Sequence, residues 1–183
     1  MSTTKPTRIL AVEIRAARLG YAVFETPREL RNFGGTWFDS PKVARANIAR
    51  LFNLYRPSIV VIRGGVMRYP RNMAKRQRIA RIVCDEGRKL AISIKRVVSK
   101  DFDRFFGSHL CRDKYDVAVT LSQWFPDLAR RIPSRPKFYD PEPNSILYFD
   151  SIALGIVYME GLVKSQPEKV VDDRNPFAGL QVT

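Results

Sequence analysis

Thirteen lysines and arginines stand between Arg63 and Arg104, against four acids, a net charge of +9 within 42 residues. Guanidinium and ammonium groups at that density suit phosphate better than solvent alone. Lys75, Arg78 and Arg81 recur at a spacing of three, which on a helix sets them along one stripe, with Arg76 close by. Arg68, Tyr69 and Arg71 fall in the loop just ahead of that helix, and Lys100 follows further on. Arg68, Arg71, Lys75, Arg76, Arg78, Arg81 and Lys100 are therefore the candidate nucleic-acid contacts. Contacts of this kind position a protein on a backbone without reading bases. They predict a preference for shape over sequence, and binding that falls steeply with salt. The 183-residue chain as a whole carries +14 with a pI near 10.2. That excess points to nucleic acid first and an anionic membrane surface second.

A second feature is a lone acid. Asp150 stands in a stretch, residues 146–159, that is otherwise almost wholly apolar. A carboxylate buried there requires a positive partner or hydrogen bonds. Other familiar chemistries find little support. Cys84 and Cys111 are far apart with no CxxC, and His109 is the sole histidine, so zinc, disulfide and haem sites lack their ligands. His109 reads as structural or exposed, Cys84 as facing the core from its helix, and Trp37 and Trp124 as packing residues. The opening residues hold no long apolar run of the kind a secretory signal needs. The longest strongly apolar stretch, residues 152–159, is far shorter than the ~20 residues that span a bilayer. The expected setting is cytoplasmic, with no membrane.

The elements that must position these residues follow from periodicity. Residues 8–13, 19–25 and 33–38 read as three strands of an antiparallel meander, with residues 15–18 as the first turn and Gly34–Gly35 weakening the third strand. Ser40 and Pro41 open a helix that ends at Arg56–Pro57. The continuous apolar run at residues 58–62 predicts a strand buried on both faces, broken by Arg63–Gly64–Gly65. A basic helix over 72–88, a strand over 90–98, a short connecting element over 99–107, a helix over 113–125 capped by Asp113, and a last helix over 145–163 complete the chain. Three meander strands followed by helix–strand alternation predict an α/β fold. Its mixed sheet begins as a three-strand antiparallel meander and continues with parallel strands, with helices on both faces. Residues 1–163 form one domain in this reading, and residues 164–183 a flexible C-terminal tail.

That order, with the residues at its key points, resembles the ribonuclease H-like superfamily and, within it, the RuvC-type Holliday-junction resolvases. ILAVEIRAARLGYAVFE (residues 9–25) is similar to the family's first hairpin, an apolar strand ending in an acid and leading to a strand that begins Gly-Tyr. PSIVVIRGG (57–65) resembles the central strand, VSKDFDRFFGSHLCRDKYDVAVTL (98–121) the loop-plus-helix segment, and LYFDSIALGIVY (147–158) the terminal helix. The resemblance implies backbone cleavage by two divalent cations, Mg or Mn, held by about four carboxylates. Carried over residue by residue, the first-strand acid falls on Glu13 and one terminal-helix acid on Asp150. The central-strand acid falls on Arg63, and the second terminal-helix acid on Leu147. Glu13, Asp150 and Arg63 sum to −1, a poor setting for two dications. Metal at Glu13 and Asp150 is accordingly expected to be absent or weakly held, with Arg63 as the counter-charge to Asp150 and Glu13 sharing its guanidinium.

Three functions compete. The first is a nucleic-acid-binding, resolvase-related protein whose two-metal catalysis is impaired or lost. The second is an active Mg- or Mn-dependent structure-selective endonuclease, using Glu13, Asp150 and further acids such as Asp101, Asp103 or Asp140. The third is a basic scaffold that meets an acidic protein or RNA. The ligand expected is DNA ahead of RNA, and the resemblance implies a homodimer, since resolvases cut two symmetric strands.

Overall fold

The run ILAVEI folds as strand β1 (Ile9–Ile14), and all six residues are buried, since the strand lies mid-sheet with helices over both faces. The computed structural model describes residues 7–64, 72–135, 137 and 142–165. After β1 come β2 (Arg18–Thr26), β3 (Glu29–Trp37), α1 (Pro41–Tyr55), β4 (Ile59–Gly64), α2 (Met73–Lys89) and β5 (Ser93–Val98). Then follow α3 (Ser99–Ser108), α4 (Lys114–Trp124), a 3-10 turn (Pro126–Arg131) and α5 (Ile146–Ser165).

The sheet order is β3-β2-β1-β4-β5. β1, β2 and β3 form the antiparallel meander, and β4 and β5 add in parallel beside β1. Period-two alternation sorts the core into two layers. Ile9, Ala11, Ala22, Phe24, Val61 and Val97 face α3, α4 and α5. Leu10, Val12, Ile14, Leu19, Val23, Val60 and Ile62 face α1 and α2. Glu13 continues the first set, so its side chain leaves β1 on the α5 side. α5 is the central helix of that layer: Phe149, Ile152, Ala153 and Leu154 are at most 1% exposed. Burying each large apolar side chain contributes about 1.5–3 kcal/mol.

Local chemistry sets the boundaries. The Ser40 hydroxyl accepts from the Val43 amide at 3.3 Å and Pro41 fills the first helical position, which starts α1. Arg56 takes a left-handed conformation (φ 45°) ahead of Pro57 and stops it. The Asp113 carboxylate accepts from the Asp116 amide at 2.9 Å and starts α4. Gly20 lies opposite Glu13 in the β1–β2 ladder. A Cβ there would collide with Ser151 Oγ and sit 2.7 Å from the Leu147 carbonyl oxygen. Only glycine lets α5 come this close to the sheet, and the approach carries Asp150 to the end of β1.

Several expectations need correction. β4 does not break at Arg63: Arg63 and Gly64 pair with Val97 and Val98 of β5 and prolong the strand. β5 begins at Ser93 rather than residue 90, because Ala91 adopts a left-handed turn (φ 53°) that reverses the chain after α2. β3 begins at Glu29, four residues early, since Glu29, Leu30 and Asn32 already pair with β2, across an irregularity at Arg31, despite Gly34 and Gly35 further on. Arg18 belongs to β2, which leaves residues 15–17 as the turn. The segment at 99–107 is the helix α3. Trp37 is 64% exposed, with the Arg18 guanidinium 4.8 Å over its ring, so it is no packing residue. It ends edge strand β3, where no helix covers it. Trp124 does pack, edge-on to Phe105 and His109. Cys84 is half-buried against the α1/α2 layer. α5 runs two residues past the expected end, to Ser165, and the rest of the expected tail lies outside the described residues.

Candidate nucleic-acid interface and its charge cluster

The carboxyl ends of parallel strands β1 and β4 lie side by side, where β1 turns by a hairpin into β2 and β4 leads into α2. In open α/β sheets this is where ligands are held. Glu13 reaches this end from β1 and is 3% exposed. Arg63, from β4, donates its Nε to Glu13 Oε2 at 2.9 Å. The Arg63 guanidinium also lies 4.0 Å over the Phe102 ring of α3, which fixes its plane and shields the pair from water.

Arg15, just past the end of β1, organises the other half. It donates an Nη to Asp150. It donates both Nη groups to Glu142, at 3.0 and 3.2 Å, and its Nε lies 4.0 Å from Glu13 Oε1. Lys114, the first residue of α4, donates its Nζ to Asp150 at 3.2 Å and also to Glu142. Arg76, on the first turns of α2, faces the same charges.

Electrostatics follow from this crowding. Burial works against the Arg15 charge, but Asp150, Glu142 and Glu13 outweigh it and hold its pKa above the ordinary value. Burial pushes the Arg76 pKa down; the Arg15 charge adds to this, Glu13 opposes it, and Arg63 adds again. Burial alone would push the Glu142 carboxyl up, yet the hydrogen bond and charge of Lys114, with the charge of Arg15, keep it below the usual carboxylate range. Three carboxylates meet four cations, a net of +1.

This donor set does not fit a two-magnesium centre. Magnesium takes about six oxygen ligands in tight octahedral geometry. Here Glu13 and Asp150 spend their oxygens on internal cations, a guanidinium stands at the end of β4, and Leu147, one turn ahead of Asp150, is buried and apolar. Among the described residues no group of three or more His, Cys, Asp or Glu is arranged to hold a metal ion.

The candidate residues separate into groups. Glu13, Arg63 and Asp150 come to the same end of the sheet, but Arg63 holds Glu13 and not Asp150. The guanidinium shared between acids is that of Arg15, which serves Asp150 and Glu142. Lys75, Arg78 and Arg81 lie exposed along α2, and Lys100 is exposed at the start of α3. None of these four makes an ion pair among the described residues. Arg76, beside the stripe, is half-buried and near enough to feel the charges of Arg15, Glu13 and Arg63. Arg68 and Arg71 lie outside the described residues, as does Asp140. Asp101 pairs with Arg104 at 3.8 Å within α3, and Asp103 is exposed. His109 is exposed, its Nδ1 2.8 Å from the Phe105 carbonyl oxygen.

Arg15, Lys114 and Glu142 are the members that sequence reasoning missed. Arg15 carried a signal, since two residues beyond Glu13 the alternation returns to the same side. Lys114 follows the cap residue Asp113 and so begins a helix. Glu142 sits in a proline-rich stretch with no periodicity to read.

A mixed sheet of this order, with helices on both faces, is the RNase H-like α/β fold. Thermus thermophilus RuvC in complex with a Holliday junction substrate matches with a TM-score of 0.65 at 11% identity, over 87% of this chain and 96% of that one. A further structure of Thermus thermophilus RuvC matches at 0.64, with 11% identity, over 86% and 96%. The yeast mitochondrial Holliday junction resolvase Ydc2 matches at 0.58, with 13% identity, over 87% and 81%. No family model matches the sequence, and no curated protein matches it either. Among the described residues no helix is long and apolar enough to cross a membrane.

Proposed function

We propose that the chain is a resolvase-related DNA-binding protein in which two-metal hydrolysis is lost and the former metal pocket is held together by internal cations. One observation carries this reading. Each acid at the carboxyl ends of β1 and β4 is neutralised from within, Glu13 by Arg63, and Asp150 by Arg15 and Lys114. Affinity for DNA would then come from the exposed stripe of Lys75, Arg78 and Arg81 and from Lys100, which have no competing acid partners among the described residues. The solved structures of like fold include a resolvase bound to a Holliday junction, which favours branched DNA as ligand. A two-fold ligand of that kind is matched by a homodimer.

The test joins binding to cleavage. Anisotropy with a labelled four-way junction and a linear duplex of equal length, across a salt series, should show junction preference and a steep negative slope of log K on log salt. The same substrates with Mg²⁺ or Mn²⁺ should remain intact, and calorimetry should show no tight metal binding. Brisk junction cleavage would overturn the reading. It would favour the endonuclease alternative, whose support is that Glu13, Asp150 and Glu142 gather around one arginine.

A further inference from the structure

We propose that Arg15 and Lys114 form a binding site for a single phosphate group, which the chain's own Glu142 carboxylate fills in the free protein and a DNA backbone phosphate takes over by displacement. The proposal rests on the DNA-binding reading for the source of the phosphate, though not for the site itself.

Geometry is the first ground. Arg15 presents both Nη groups to the two oxygens of Glu142, at 3.0 and 3.2 Å, and Lys114 Nζ closes on the same carboxylate. A guanidinium fork with an ammonium beside it accepts carboxylate or phosphate oxygens in the same arrangement. Glu142 therefore stands where a phosphate would.

Exposure is the second. The Glu142 side chain is 41% exposed and that of Lys114 51%, against 8% for Asp150. Asp150 is thus the inner, permanent partner that keeps both cations in place. Glu142 is the outer one, open to solvent and outside every strand.

Charge is the third. With Glu142 swung away, the cluster holds two carboxylates and four cations, a net of +2 that calls for an anion. The site is also continuous with the basic surface. Arg76, whose charge couples to Arg15 and Glu142, lies on the same first turns of α2 as Lys75 and Arg78. A backbone tracking the stripe would bring successive phosphates to the opening.

The experiment uses the full chain and a conservative variant, Glu142→Gln, with Glu29→Gln on β3 as a control for general charge. Glu29 is similarly exposed and pairs with Arg31, at 2.7 Å, away from the cluster. Glu142→Gln should bind a four-way junction about fivefold more tightly than wild type, a gain of the size that one exposed ion-pair competitor imposes. Glu29→Gln should change affinity far less. The gain should shrink when Lys114→Gln is added, since only the Arg15 fork is then left to uncover. Independently of DNA, inorganic phosphate should raise the melting temperature of Glu142→Gln more than that of wild type, relative to chloride at equal ionic strength. Equal gains from both glutamine variants, together with no selective stabilisation by phosphate, would overturn the proposal and leave salt-dependent DNA binding by wild type untouched. Selective stabilisation by phosphate in a protein that binds no DNA would uphold the site and reject the DNA-binding reading.

Discussion

Arg63 donates its Nε to Glu13 across the seam between two parallel strands, at 2.9 Å, with both side chains largely shielded from water. Pairing in so dry a place makes each group depend on the other. The Glu13 carboxylate is tolerable because the guanidinium is there, and the guanidinium is oriented by the Phe102 ring against which it lies.

Removing the cation should therefore cost more than an ordinary surface ion pair. Arg63→Ala leaves Glu13 buried, with the Arg15 Nε no nearer than 4.0 Å, and should destabilise by about 3–5 kcal/mol. Arg63→Met with Glu13→Gln should recover much of that loss. Urea unfolding of the two variants checks both statements.

The stripe on α2 should behave in the opposite way. Lys75, Arg78 and Arg81 are exposed, so alanine at all three should leave the melting temperature nearly unchanged. Affinity for DNA should fall equally for all sequences tested, and the salt slope should drop by about one for each phosphate no longer neutralised. Anisotropy over a salt series reads both numbers.

Gly20 is where the sheet admits α5. Gly20→Ala forces its methyl group into Ser151 Oγ and the Leu147 carbonyl oxygen, and a backbone atom cannot swing aside. The variant should lose about 1–3 kcal/mol, the usual range for overpacking. Because Asp150 rides on the displaced helix, junction affinity should fall together with stability. Urea unfolding and junction anisotropy on the same preparation check the pairing of the two effects.

Acid should weaken the protein in a defined window. The Glu25 carboxyl is held below its ordinary value by hydrogen bonds from Arg8 and Arg31. A hydrogen bond from Lys89, with Arg45 beside it, does the same for Glu86 against the cost of burial. The Lys114 and Arg15 contacts do so for Glu142. A carboxyl with a lowered folded-state pKa stabilises above its unfolded value and loses that contribution as pH falls through the folded one. Urea midpoints should thus be flat above the ordinary glutamate value of 4.5 and decline below it. Glu86→Gln should shrink that decline.

Much of this architecture was legible in local pattern. The apolar run ahead of Arg63 marked a strand covered on both faces, Ser40–Pro41 marked the start of α1, and an acid inside the most apolar helix marked Asp150 as needing a partner. The identity of that partner was not legible. Arg15 and Asp150 are 135 positions apart and meet only because Gly20 lets α5 settle on β2. Lys114 and Glu142 come from elements that no periodicity ties to β1. Trp37 misled because a large aromatic at a strand end reads as core unless one knows that the strand is an edge.

The interlocking of Arg15, Arg63 and Lys114 with Glu13 and Asp150 also bears on how this protein can change over generations. An acid in place of the arginine at 63 would set one carboxylate against another beside Glu13. Loss of Arg15 would leave the buried Asp150 to Lys114 alone. Each lone codon change toward a more acidic pocket passes through a weaker protein, so such a pocket is reached across a valley by paired substitutions and not down a slope in single steps.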